Sequence, residues 1–279
     1  MKKQKSTLFS LLCVLLTAIG IIFSGCNKSP VTGNSQSADA VYDRVIKSGT
    51  IRCAYVVYPP GCIKDPNTGK LSGIFVDTIN EAAKNLGLKA EWTEEVSWGT
   101  MIEGLQTDRY DLVASPVWAN STRAKHADFS VPLMFSGIGV YVRQKESRFG
   151  SGLTALNSPS VKIATVDGEM TDIISQSEFP NAQRVSHPQN TDVSLVLQDV
   201  AQGKADVTFV EPYYASQFLK NNPETLKNLV AAKPIRIFPN TMMFKQGDFE
   251  FKPMLDTALQ ELVNSGYVDK KINQYDSSG

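Results

Sequence analysis

From Ile51 onward the apolar positions of the chain switch between two periods. Ile51 to Val57 is a mostly apolar run, which predicts a strand, and Tyr58-Pro59-Pro60-Gly61 ends it because proline donates no ladder hydrogen bond. Asp65-Pro66-Asn67-Thr68-Gly69 is dense turn chemistry. Apolar residues at 75, 76, 79, 82, 83 and 86 then follow helical spacing, with Gly87 placed to cap the helix end. Leu88 to Trp92 reads as a short strand, Trp98 to Leu105 as a helix and Tyr110 to Ala114 as a strand. The alternation restarts after Gly150. Strands are predicted over Val161 to Val166, Asp206 to Val210 and Thr241 to Phe244. Helices are predicted over Gly168 to Gln176, Thr191 to Gln202, Pro212 to Leu219, Phe249 to Ser265 and Val268 to Tyr275. Strand and helix alternating at short intervals is the pattern of α/β folds with largely parallel sheets. Arg109 to Ser115 and Lys204 to Val210 echo each other, each setting an Asp just before an apolar strand, so two similar α/β lobes are expected.

The first residues have a different character. Lys2, Lys3 and Lys5 precede an uncharged run from Leu8 to Phe23. A membrane-spanning helix wants ~20 apolar residues, so this run suits the apolar region of a secretory signal over 1–25. An uncleaved signal anchor is the alternative reading. Phe23-Ser24-Gly25-Cys26 resembles the lipobox of bacterial lipoproteins, with Phe23 where that box usually has Leu. The resemblance implies cleavage before Cys26, acylation of its thiol, export and a lipid anchor in the cell membrane. Residues 26–40, small and polar, then form a flexible tether.

Composition narrows the function classes. The chain has 279 residues, 28 Lys and Arg against 28 Asp and Glu, and 42% hydrophobic residues. That is ordinary globular composition with no global charge for holding nucleic acid. Four cysteines exclude a disulfide-dense scaffold. Cys53 and Cys62 are the two left in the folded part. They can pair only with Cα atoms within ~7 Å, and two free buried thiols are favoured. His126 and His187 have no metal-ligand spacing, and the chain lacks G-x-S-x-G, P-loop, H-E-x-x-H and C-x-x-C motifs. No catalytic residue, metal or cofactor is expected.

One segment is sharper than the rest. Ser121-Thr-Arg123-Ala-Lys-His-Ala-Asp128-Phe129-Ser130-Val-Pro132 closely resembles a block of extracellular solute-binding protein family 3, the amino-acid receptors of bacterial ABC importers. Lys70 to Asp77, Trp98, Ile102 to Gln106 and Tyr110 to Leu112 occur in the family's order, and the similarity spans about residues 41 to 275. The resemblance implies a two-lobe α/β periplasmic-binding-protein ("Venus flytrap") fold with two crossover strands near Tyr141–Lys145 and Arg236–Asn240. Lobe 1 would comprise 41–142 and 239–279, and lobe 2 would comprise 143–238. Its expected partners are a small ligand, ABC permease subunits and the membrane through the lipid, with no nucleic acid, and the protein is expected to be a monomer.

The same resemblance assigns site residues. Arg123 matches the arginine that clamps the ligand's α-carboxylate, where a planar fork suits two parallel bonds. Glu211 falls where an Asp usually contacts the ligand's ammonium; its alternative is an acid favoured at the start of the following helix. The family's Gly-x-Thr-x-Thr is replaced by Pro116-Val117-Trp118-Ala119-Asn120, so Trp118 and Asn120 stand where hydroxyls are usual. Glu169 stands where a Thr usually donates to the carboxylate. It either faces the ligand or caps its own helix. Tyr58 matches an aromatic that stacks on the ligand, and Trp98 supplies either an apolar wall or core packing. Two acids near one arginine favour a cationic amino acid or amine-bearing analogue. Flytrap dehydratases acting on a carboxylated ring, with Glu169 as acid, are the enzyme alternative; a sensor for a membrane receptor is the third.

Overall fold

The computed structural model describes residues 40–276 apart from Asn190. The signal segment 1–25, Cys26 and the tether up to 39 lie outside the described residues. The helices are α1 (Ala40–Ser48), α2 (Ile74–Asn85), α3 (Met101–Gln106), α4 (Met170–Glu178), α5 (Val193–Ala201), α6 (Pro212–Asn221), α7 (Phe251–Asn264) and α8 (Tyr267–Tyr275). The strands are β1 (Thr50–Tyr55), β2 (Ile63–Lys64), β3 (Leu71–Ser72), β4 (Lys89–Glu95), β5 (Leu112–Trp118), β6 (Ala127–Phe129), β7 (Met134–Arg143), β8 (Lys162–Val166), β9 (Gln183–His187), β10 (Val207–Val210), β11 (Leu226–Asn228) and β12 (Arg236–Lys245).

Strand order along the main sheet path is β4-β1-β5-β12-β7-β10-β8-β9. β1 runs parallel to β4 and β5, and β8 runs parallel to β9 and β10. Between these parallel halves lie two long antiparallel strands, β7 and β12, which pair over Met134–Ile138 and Arg236–Asn240. β12 then continues along β5, whereas β7 from Gly139 continues along β10. These are the two crossovers of a two-lobe α/β fold. The first changes partner at Ile138–Gly139, upstream of the Tyr141–Lys145 expected from sequence. Tyr141 is already inside the second sheet, paired with Thr208.

Each half is a sheet buried on both faces, which is why its central strands read as apolar runs rather than alternations. In the first, Ile51, Cys53 and Leu112 pack under Phe75, Ile79, Leu255 and Leu259 of α2 and α7. The opposite face sends Ala54, Val113 and Val117 against Met101, Leu105 and Tyr110. In the second, Ile163, Phe209 and Val140 meet Ile174 and Phe179, and Ala164 and Val210 meet Val196, Leu197 and Val200. Burying one such Leu, Ile or Phe side chain is worth ~1.5–3 kcal/mol. Gly104 allows α3 to lie against Tyr110, whose ring carbon Cζ is 2.2 Å from where a Cβ would stand.

The sequence echo has a structural counterpart. Asp111 accepts the Arg52 N–H at 2.6 Å and its own N–H reaches Arg52 O at 2.9 Å. Asp206 repeats this in the other lobe with Lys162, at 2.9 Å and 2.7 Å. Each aspartate clips the start of one strand to its parallel neighbour.

Several boundaries differ from the periodicity. α3 begins at Met101, because residues 97–100 close a turn in which Thr100 Oγ1 accepts the Ser97 N–H at 3.2 Å. Trp98 is thereby placed on a loop. β5 runs on to Trp118; its register against β12 shifts between Thr241 and Met243, which accommodates Pro116, a residue with no N–H to donate. Cys53 and Cys62 are both buried and unpaired. Among the described residues no helix is long and apolar enough to cross a membrane.

Candidate functional site

Parallel α/β sheets open at the carboxyl ends of their strands, where backbone groups and loop side chains converge. In this chain both parallel halves present those ends to one cavity of about 640 Å³. Val56 to Pro59 follow β1, Glu95 ends β4 and Val96 to Trp98 follow it, and Pro116 and Trp118 end β5. From the other lobe come Glu169 to Thr171 after β8, Gln189 and Asp192 after β9, and Tyr213, Tyr214 and Gln217 after β10. Arg123 completes the lining.

Arg123 opens a short helical turn, Arg123–Lys125, and is only 8% exposed. Asn120 holds it there: its Oδ1 accepts the Arg123 N–H at 2.9 Å. Asn120 is thus a support beneath the arginine and does not line the cavity. The guanidinium Nη1 donates to Trp118 O at 3.3 Å. Its Nη2 reaches both oxygens of Glu169, at 3.0 and 3.2 Å, from the other lobe.

Glu169 occupies the N-cap position of α4, yet its side chain makes no capping hydrogen bond. It turns into the cleft, where Gln189 Nε2 also donates to it at 3.2 Å. Asp172, in the first turn of α4, accepts the Gly168 N–H at 3.1 Å. The Glu169 side chain therefore lies in the cleft and does not cap α4.

Glu211 ends β10 and precedes Pro212, the first residue of α6, and it too makes no side-chain cap. It lies 8% exposed, in a smaller cavity of about 280 Å³ beside the crossover strands. Tyr58, from the first lobe, donates its hydroxyl to Glu211 Oε2. Burial raises the Glu211 pKa, against hydrogen bonds from Ser136 and Tyr58 that favour the carboxylate. The same burial, with Glu211 next to it, lifts the Tyr58 phenol well above its ordinary value, so the phenol is a donor at neutral pH.

Aromatic rings form the partition between the two cavities. Tyr58, Tyr213 and Tyr214 line both. The Tyr58 ring lies 4.6 Å from Tyr214 and meets Trp98 edge-on at 5.3 Å. Trp98 serves both readings made of it, since it borders the cleft and packs with Met101 and Leu105. Trp118 stacks on Phe238 at 4.9 Å and donates its indole N–H to Asn240 Oδ1 at 2.9 Å, which fixes the ring in the wall.

Tyr58, Trp98, Trp118, Arg123 and Glu169 therefore come together in one cleft, with Glu211 behind the tyrosine wall. Cys26 lies outside the described residues. The sequence reading missed Tyr214, Gln189 and Asp192. Tyr213 and Tyr214 follow Glu211 and Pro212, and the strand-end argument made for Glu211 applies to them as well. Asp192 caps α5 by accepting the Ser194 N–H at 2.8 Å, and capping is what its sequence position signals.

A cleft with one arginine, an aromatic wall and carboxylates from both lobes is chemistry for a small zwitterion rather than a polymer. The chain is similar to several known proteins. The cyclohexadienyl dehydratase of Pseudomonas aeruginosa is 25% identical over 244 residues, covering 86% of this chain and 87% of that protein. The L-cystine-binding protein TcyA of Bacillus subtilis is 26% identical over 272 residues, 97% of this chain and 96% of that protein. An ancestral amino acid-binding protein, a precursor of cyclohexadienyl dehydratase, superposes with TM-score 0.69 at 26% identity, over 84% of this chain and 97% of its own. A further structure of it, called an ancestral cationic amino acid solute binding protein, gives TM-score 0.61 at 26% identity, over 84% and 98%. The model of the bacterial extracellular solute-binding proteins, family 3, matches residues 51–277, and the chain belongs to that family.

Proposed function

We propose that this chain captures an amino acid in the interlobe cleft and delivers it to the permease of an ABC importer, with a preference for cationic amino acids. The observation that carries the reading is the charge balance of the cleft. Arg123 is the cation of its lining; of its acids, Glu95 is ion-paired with Lys64 at 2.6 Å and Asp192 caps α5, which leaves Glu169, with Glu211 just behind. An α-carboxylate suits the guanidinium fork. The remaining acids suit an α-ammonium plus a second positive group. Indole and phenol faces add cation–π attraction, ~0.5–2 kcal/mol each. The relative called a cationic amino acid solute binding protein supports the preference. The reading is tested by thermal denaturation against amino acids, amines and small carboxylates. A ligand at 100 times its dissociation constant stabilises by ~2.7 kcal/mol. Arginine or lysine should give the largest shift; no shift from any amino acid would contradict capture.

A second reading, an enzyme acting on a carboxylated ring, draws on the dehydratase relative and on one buried acid. Glu169, the acid chosen from sequence, has both oxygens engaged by Arg123. Glu211, with its raised pKa, is the better proton donor. Release of an aromatic product from a prephenate-like substrate would favour this reading; unchanged substrate would exclude it.

A further inference from the structure

The Arg123–Glu169 pair has a feature that a ligand-capturing cleft does not need. Arg123 belongs to the first lobe and Glu169 to the second, so the pair bridges the interlobe cleft. Both side chains are largely withdrawn from solvent, at 9% and 15% exposure. The Glu169 carboxylate takes Nη2 through both of its oxygens, and Gln189 steadies it from the same lobe. The bridged rim is close, with Gln189 Oε1 2.9 Å from where a Cβ would stand on Gly99, a first-lobe loop residue. A ligand carboxylate that takes the planar Nη1–Nη2 fork meets Nη2 already engaged by Glu169 and Nη1 by Trp118 O, so it competes for those donors.

We propose that Glu169 is a built-in competitor for the ligand's carboxylate: it holds the lobes together through Arg123 and is displaced when a ligand binds. The exchange is close to neutral for the guanidinium, which swaps one carboxylate for another. It is not neutral for Glu169, which loses its cation inside a narrow cleft. A ligand that carries only a carboxylate and one ammonium leaves that charge unmatched. A ligand with a second positive group replaces what Arg123 withdrew. Glu169 thereby sets both the closed population without ligand and the discrimination between ligands, because only differential interaction with two states shifts them. This rests on the capture reading for its second half, while the bridge itself does not.

The test is Glu169→Gln, which keeps shape and removes the charge. In the full chain without added amino acid, amide hydrogen exchange over residues 95–100 reports lobe opening. Those residues are in the first lobe, away from the substitution. Exchange there should accelerate about tenfold, the effect of a ~1.4 kcal/mol loss, while exchange in β1 stays as in the parent. The charge-swapped pair Arg123→Glu with Glu169→Arg should restore slow exchange and not ligand affinity. In titrations, Glu169→Gln should bind glutamine more tightly and arginine more weakly than the parent, moving their affinity ratio at least about tenfold. Unchanged exchange at 95–100 overturns the bridge. Faster exchange with an unchanged affinity ratio overturns the competition. If the parent binds neither amino acid, the cationic preference and the competition both fail, while the exchange result still decides the bridge.

Discussion

Arg123→Ala removes the group on which the site depends, and the structure sets the size of the effect. Arg123 is 8% exposed, so a ligand carboxylate that reaches its guanidinium is held with little competition from water. Charge-assisted hydrogen bonds contribute roughly 1.5–3 kcal/mol each, and a fork makes two, so the gross loss is roughly 3–6 kcal/mol. For a cationic ligand part of this returns. Glu169, no longer engaged at 3.0 Å by Arg123, becomes free to hold the ligand's positive group. Arginine should therefore bind about a hundredfold more weakly, and glutamate, which gains nothing from a second free acid, at least about a thousandfold. Arg123→Lys restores the charge without the planar fork and should recover only part of either loss. Titration calorimetry reads the affinities, and circular dichroism confirms folding, since Glu169 is left unpaired at 15% exposure. Arginine binding within about threefold of the parent would refute the assignment of Arg123.

Two further predictions concern groups away from the cleft. Asp248 is 5% exposed, its Oδ2 has no hydrogen-bond partner, and burial pushes its pKa from 3.8 to about 7. Its folded pKa lies above the unfolded one, so its contribution to stability is greatest below pH 4 and is lost as pH rises from 4 through 7. Asp248→Asn should stabilise the protein above pH 7 by up to roughly 4 kcal/mol and give no gain at pH 4, measured by denaturant titration; an equal effect at both would contradict it. Cys26→Ala should abolish incorporation of labelled fatty acid and the accompanying shift in mobility, and normal labelling of the variant would remove the lipid assignment.

Much of the fold was legible because burial leaves a period. The spacing at 75, 76, 79, 82, 83 and 86 became α2 at Ile74–Asn85, with Gly87 at φ +69 just beyond it. The Asp111 and Asp206 echo became the same backbone clip in both lobes. What escaped has physical reasons. β7 is half apolar core and half ribbon, with Phe135 64% exposed, so no single period marks it. β9 is an edge strand, polar and mostly exposed, and carries little apolar signal. In the site, Arg123 and Tyr58 were visible through the resemblance, as was the departure at Glu169. That Glu169 would pair with Arg123 rather than cap α4 depends on how the two lobes face each other, which no local pattern encodes. Tyr58 reaching Glu211 across the same gap was hidden for that reason.

The decisive measurement is the affinity of the folded protein for arginine relative to glutamate, titrated at one pH and low salt. Arg123 already meets Glu169 through Nη2, and Glu169 and Glu211 border the space a ligand would fill, while Glu95 is ion-paired with Lys64. Arginine should bind at least about tenfold more tightly than glutamate, a difference of ~1.4 kcal/mol, and added salt should narrow the gap. Glutamate binding as tightly as arginine, or more tightly, would contradict the cationic preference.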